Sequence, residues 1–157
     1  MGAKTEEAPV LVPVDFSKYS EAALLYACRL ARCTKAPVRV LHVVHDPADM
    51  PGYYSQAFKK KRLGRIEDVA REMLDGFLAG VAASHPSVKA LQDLEPLLVL
   101  GLPTTRILEV AEKMKASAIV MGSKGSTGLK HLMLGSVSEH VVRLSPIPVT
   151  VVKAVKG

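Results

Sequence analysis

Apolar positions along this chain alternate between two spacings: short unbroken runs, and recurrences every three or four residues. The runs Val10 to Val14, Val38 to Val44, Leu97 to Leu100, Ala118 to Met121 and Pro148 to Val152 read as strands, the first of them fully buried. After the first run, Ala23, Tyr26, Ala27, Leu30 and Ala31 share one side of a helix that extends to about Cys33, with Ser17 or Ser20 as its cap. Leu63, Ile66, Ala70, Met73, Phe77 and Val81 mark a long amphipathic helix that begins near Tyr53 to Phe58 and ends before Pro86; Gly64, Gly76 and Gly80 weaken it. Pro103 suits the first position of a third helix with Ile107, Leu108, Ala111 and Met114 inward, and Ser136 opens a fourth, Val137 to Leu144. The third strand, Leu97 to Leu100, could begin nearer Val88, although Pro96 argues against an unbroken central ladder. Alternation of this kind predicts an α/β architecture, a parallel sheet covered by helices on both faces.

The junction between the fourth strand and the last helix carries the most chemistry. Gly122-Ser123-Lys124-Gly125 directly follows the strand, and Gly135-Ser136 directly precedes the helix. Unpaired N–H groups in such a turn and in the first helical turn can point at phosphate oxygens, and the helix dipole adds about half a positive charge. Glycine tolerates positive φ there and lets main-chain donors come close to a ligand. Hydroxyls of Ser123, Ser126, Thr127, Ser136 and Ser138 add further donors. Neither the Walker A pattern nor the Gly-x-Gly-x-x-Gly dinucleotide fingerprint occurs. What does occur is Gly-2x-Gly-9x-Gly-Ser, at Gly122, Gly125, Gly135 and Ser136. The competing reading is a plain surface loop.

That spacing is the nucleotide-binding signature of the ATP-binding branch of the universal stress protein family, which the chain resembles over nearly its whole length. The resemblance rests on Val10-Leu11-Val12-Pro13-Val14-Asp15-Phe16-Ser17, Leu41-His42-Val43-Val44, Gly101-Leu102-Pro103, the glycine segment, and Pro148-Val149-Thr150-Val151-Val152, in that order. It implies a Rossmann-like open five-stranded parallel sheet of order 3-2-1-4-5. Strands one and four then adjoin at the switch point, outside whose carboxyl ends ligands bind.

By the same resemblance, Pro13, Val14, Asp15 and Val43 line an adenine and ribose pocket, with backbone groups near Val43 reading the adenine edge. Met121, Gly122, Ser123, Lys124, Gly125, Ser126, Thr127 and Gly128 would wrap the ribose and phosphates. Gly135, Ser136, Val137 and Ser138 would meet the phosphate chain. The implied cofactor is ATP, with Mg2+ or Mn2+ held by its phosphates. A homodimer through residues 148–152 is implied too, against an edge merely protected by Lys153 and Lys156. The family's role is that of a nucleotide-responsive stress or signalling factor, with slow hydrolysis at most and an unknown downstream protein. Lys124 stands where relatives often carry histidine or arginine, and Ser117 where they commonly have aspartate. Simpler readings stay open: Asp15 as a cap or turn stabiliser, and Val43 as an ordinary strand residue. Pro13 removes a ladder donor, so its position suggests a backbone that bends around something.

Length and composition narrow the remaining possibilities. A chain of 157 residues, 48% hydrophobic, fits one domain with a sizeable core, here residues 8–157 behind a flexible 1–7. No run approaches the roughly 20 apolar residues of a membrane span, and the amino terminus lacks the apolar core of a secretory signal, so a cytoplasmic protein is expected. Cys28 and Cys33 lack CxxC spacing and read as free thiols. His42, His45, His85, His131 and His140 show no metal-ligand spacing and read as surface or satisfied core residues, although His131 lies within the loop between the glycines. The formal charge of +6 is partly concentrated in Lys59-Lys60-Lys61-Arg62 and Arg65, a solvated face or an attraction for anions. With aromatics at 4% and no reading motif, nucleic acid is not an expected partner.

Hydrolysis of ATP would need a positioned water and a base. Asp15, the acidic residue placed near the site, would lie by the base and not by the terminal phosphate. The reading is therefore binding without turnover. An adenine-nucleotide hydrolase-type enzyme using the same crevice is the alternative; a receiver domain would need an acidic pair that Asp15 lacks.

Overall fold

The computed structural model describes residues 7–45, 66–125 and 134–154. In it β1 (Val10–Pro13), β2 (Val38–Val44), β3 (Glu95–Leu100), β4 (Ala118–Gly122) and β5 (Val149–Val152) form one sheet of order β3-β2-β1-β4-β5. All four pairings are parallel. The described helices are α1 (Lys18–Thr34), α2 (Ile66–Ser84), α3 (Pro103–Lys113) and α4 (Ser136–Leu144), with a single 3-10 turn at Lys89–Gln92.

The unbroken apolar runs follow from burial on both faces. On one face Val10, Val12, Val38 and Val40 pack with Ala23, Leu24, Ala27, Leu74 and Val81 of α1 and α2. On the other, Leu11, Leu41, Val43, Ile119 and Met121 pack with Ile107, Ala111 and Val141 of α3 and α4. The helix that follows β1 thus lies on one side and the helix that follows β4 on the other. Since β1 and β4 are neighbours, their connections diverge and leave a crevice between them.

Local chemistry sets the boundaries. Ser17 caps α1, its Oγ accepting the Ser20 N–H at 3.2 Å, while the Ser20 hydroxyl turns back to the Ser17 carbonyl at 3.0 Å. Pro103 sits in the first turn of α3, where its missing N–H would have had no helical partner. Strand β3 starts at Glu95 and includes Pro96, opposite Val40. An edge strand accommodates that proline because one side of its backbone has no ladder to serve. Ser117 donates its N–H to the Pro9 carbonyl at 2.8 Å, so it ties the entry of β1 to the entry of β4. The expected start of α2 near residues 53–58 and the basic residues 59–62 and 65 lie outside the described residues.

Candidate nucleotide site

Pro13 ends the ladder of β1 opposite Leu41, and the Val14 N–H still reaches the Leu41 carbonyl at 2.8 Å. The chain then turns into α1 around Asp15. Its Oδ1 accepts the Ser17 hydroxyl at 2.6 Å and the Ser17 N–H at 3.2 Å, and its own N–H donates to Ser20 Oγ at 3.3 Å. Asp15 therefore braces the turn while Ser17 does the capping. Its other oxygen faces across the crevice: a Cβ placed on Gly125 would lie 3.2 Å from Oδ2. Two segments more than a hundred residues apart in sequence meet there.

Gly122, at the end of β4, has no room for a side chain. A Cβ would stand 2.7 Å from the Tyr19 carbonyl carbon and 2.8 Å from its oxygen, so the glycine allows α1 to cross the strand end. Gly135 is similarly close to the other arm of the loop, its missing Cβ only 3.3 Å from Gly125 N. Among the described residues the positive-φ glycine is Gly101, at 137°, and not a member of the motif. Close approach, and not left-handed backbone, is what these three glycines supply.

Several polar groups of the segment hold the loop itself together. Ser123 is 3% exposed; its N–H binds the Val152 carbonyl at 2.9 Å and its carbonyl accepts the Gly135 N–H at 2.7 Å. Ser138, also buried, donates its hydroxyl to the Gly122 carbonyl at 2.7 Å. Gly135 occupies the cap position of α4 and offers no side chain to the first-turn amides of Ser136, Val137 and Ser138. At this end of α4 the Gly135 position lies against Lys124 and Gly125, both half-buried. Val43, Met121 and Val137 place their side chains in the core shared with α3 and α4, which leaves the main chain for any ligand. Ser126, Thr127, Gly128 and His131 lie outside the described residues.

His42, one of the histidines read as surface or satisfied core residues, is a satisfied core residue and sits in this region. It is 1% exposed, and its Nδ1 lies 2.7 Å from the Val14 carbonyl. Its ring stacks on Phe16, with centroids 4.3 Å apart and planes at 29°. Burial holds its pKa below the usual histidine range, opposed by the Val14 hydrogen bond and the nearby Asp15 charge. The available signal was its place inside an otherwise apolar strand, where a polar ring needs a partner.

Among the described residues there is no group of three or more His, Cys, Asp or Glu able to hold a metal ion. Nor is any described helix long and apolar enough to cross a membrane.

Residues 8–153 match the model of the universal stress protein family. Universal stress protein MJ0577 of Methanocaldococcus jannaschii is 30% identical over 151 residues, covering 92% of this chain and 93% of its own. Universal stress protein YxiE of Bacillus subtilis is 33% identical over 150 residues, covering 92% and 97%. The solved structure of MJ0577 superposes with a TM-score of 0.67 at 25% identity, over 98% of this chain and 100% of that one. A universal stress protein from Archaeoglobus fulgidus, solved in complex with dAMP, gives 0.65 at 23% identity, over 95% and 100%. Strand order, the glycine-lined crevice at the switch point and these matches agree that the chain belongs to the universal stress protein family.

Proposed function

We propose that this chain binds an adenine nucleotide, ATP foremost, in the crevice between the ends of β1 and β4, and works as a nucleotide-responsive factor in stress signalling. The observation that carries the reading is the meeting of Asp15 with Gly125, which in turn lies against Gly135 at the amino terminus of α4, an arrangement in which added Cβ atoms would be crowded. Backbone amides and helix dipole suit phosphate, and the turn at Asp15 suits the nucleoside. That a member of the family was solved with dAMP supports an adenylate as the occupant. Bound ATP would bring a polyphosphate and its Mg2+ or Mn2+ into the loop; the phosphates carry the cation. Binding without turnover is favoured because one oxygen of Asp15 is already engaged by the Ser17 hydroxyl and N–H.

Titration calorimetry with ATP, ADP, AMP and cyclic AMP, with product analysis after long incubation, tests this. Micromolar ATP binding that Gly125→Val and Gly135→Val abolish, with ATP intact, supports it. Absence of heat with every adenylate overturns it, and rapid release of ADP or pyrophosphate moves the chain to the hydrolase reading.

The homodimer is proposed on separate grounds. Strand β5 is an edge of four β-branched residues, and Val142 and Leu144 of the adjoining α4 are exposed. A dimer in light scattering that Val151→Lys converts to monomer supports it; a wild-type monomer at micromolar concentration refutes it. The cytoplasm is proposed as the location, to be checked by fractionation.

A further inference from the structure

We propose that His42 is a positioning residue of the nucleotide crevice: without touching ligand, its imidazole fixes the turn that carries Asp15 and thereby sets affinity for the nucleoside part. This rests on the adenylate-binding reading above. An imidazole buried in the middle of an apolar strand is costly unless its polar atoms are engaged. Here the engagement is specific. A carbonyl only accepts, so the 2.7 Å contact with the Val14 oxygen places the proton on Nδ1. Burial keeps the ring neutral, consistent with a single proton directed at that carbonyl.

The consequence for the turn follows from which groups are held. Adjacent residues of β2 grip Val14 from both sides: the Leu41 carbonyl takes its N–H at 2.8 Å and the His42 ring takes its carbonyl. The peptide plane that contains this carbonyl also contains the Asp15 N–H, which donates to Ser20 Oγ. Both peptides flanking Val14 are thus pinned before the chain reaches Asp15. The next residue, Phe16, has a φ of 66°, a left-handed conformation that is strained for a residue other than glycine. Its ring lies on His42 and, at 5.8 Å, beside Phe77 of α2, which offsets that strain. Asp15 is therefore held between two residues that both lean on the same imidazole. Its Oδ2 is set against Gly125 as a result. The phosphate arm is built differently, from the Ser123–Gly135 and Ser138–Gly122 hydrogen bonds, neither of which involves His42.

This asymmetry gives the test. His42→Phe keeps a ring for the stack and loses the donor; His42→Asn keeps a donor near the Nδ1 position and loses most of the ring. ATP and inorganic tripolyphosphate are titrated into wild type and both variants, with melting temperatures measured alongside. The expected result is that His42→Phe weakens ATP by about tenfold, the scale of one lost buried hydrogen bond, with tripolyphosphate within about twofold. His42→Asn should recover most of the ATP affinity. Should His42→Phe fail to fold, His42→Leu replaces it, likewise without a donor for the Val14 carbonyl; the same selective loss is expected. Equal weakening of ATP and tripolyphosphate, or unchanged ATP affinity in folded variants, overturns the proposal. Wild-type protein that takes no ATP overturns the binding reading and this one together.

Discussion

Replacing Gly122 by alanine tests the packing at the switch point directly. The added Cβ would meet the Tyr19 carbonyl carbon at 2.7 Å and the Tyr19 Cβ and oxygen at 2.8 Å, whereas ordinary contact begins near 3.4 Å. Two of the three atoms belong to the backbone of α1, so no rotamer change relieves the clash. The helix or the strand end must shift by about 0.7 Å. Either move disturbs a densely packed region, for α1 contributes Ala23, Leu24 and Ala27 to the core at zero exposure. Overpacking of this kind costs about 1–3 kcal/mol, and the backbone nature of the obstacle places Gly122→Ala at about 2–3. For a chain of this length each kcal/mol lowers the melting temperature by about 2–4 °C, so a fall of roughly 5–10 °C is expected by calorimetry. Urea titration should show a lower midpoint with an unchanged slope. A melting temperature within about 1 °C of wild type would refute the reasoning, because it would mean that α1 does not cross the strand end this closely.

Opposite in sign are Gly76→Ala and Gly80→Ala: both sit inside α2 with nothing within 4 Å of a new Cβ, so each should add about 0.5–1 kcal/mol in urea titration. Stability should also depend on His42. With its folded pKa depressed, the unfolded chain binds the proton more tightly, so its contribution is complete above the ordinary value near 6.5 and is lost as pH falls through the window down to the folded pKa. Urea midpoints between pH 7.5 and pH 5 should therefore fall more for wild type than for His42→Asn, with Asp15 moderating the effect and His45 adding to it. Thiol titration should count one reactive cysteine, the exposed Cys33, and a second only after unfolding, since burial pushes the Cys28 thiol up to about 11. Ser138→Ala removes a buried hydroxyl from the Gly122 carbonyl and should cost about 1–2 kcal/mol in the same assay.

The sheet was readable because its strands are buried on two faces and therefore nearly continuous in apolar residues; Val38–Val44 has the same limits in sequence and structure. Its edges were less so. Pro96 obscured the start of β3 because a proline forbidden in a central strand is harmless at an edge, and edge status is a property of topology. At the site, Asp15 and Gly122 were both legible as strand-end residues and Gly125 as part of the glycine motif, but the approach of Gly125 to Asp15 is set by the neighbouring β1 and β4, which only the resemblance supplied. His42 was not legible as part of the site. Its partner, the Val14 carbonyl, is a main-chain group, and the left-handed Phe16 on which it stacks gives no compositional sign of its conformation.

The glycine signature thus combines two physical requirements that happen to share one residue type. Gly122 answers to the crossing of α1: its neighbours are Tyr19 backbone atoms, and an intruding methyl is paid for in stability. Gly125 and Gly135 answer to the crevice. A methyl on Gly125 meets Asp15 Oδ2 at 3.2 Å, a contact relieved by a few tenths of an ångström of movement, so alanine there should leave the melting temperature nearly unchanged while it occupies nucleotide space. The same loop uses some of its groups to hold structure, namely Ser123, the Gly135 N–H and the Ser138 hydroxyl, while the cap position of α4 supplies no side chain to the helix's first-turn amides. Stability and nucleotide affinity should consequently respond to different positions of one short motif. A chain could then lose Gly125 and its nucleotide yet keep this fold, whereas loss of Gly122 would strain the fold whether or not anything is bound.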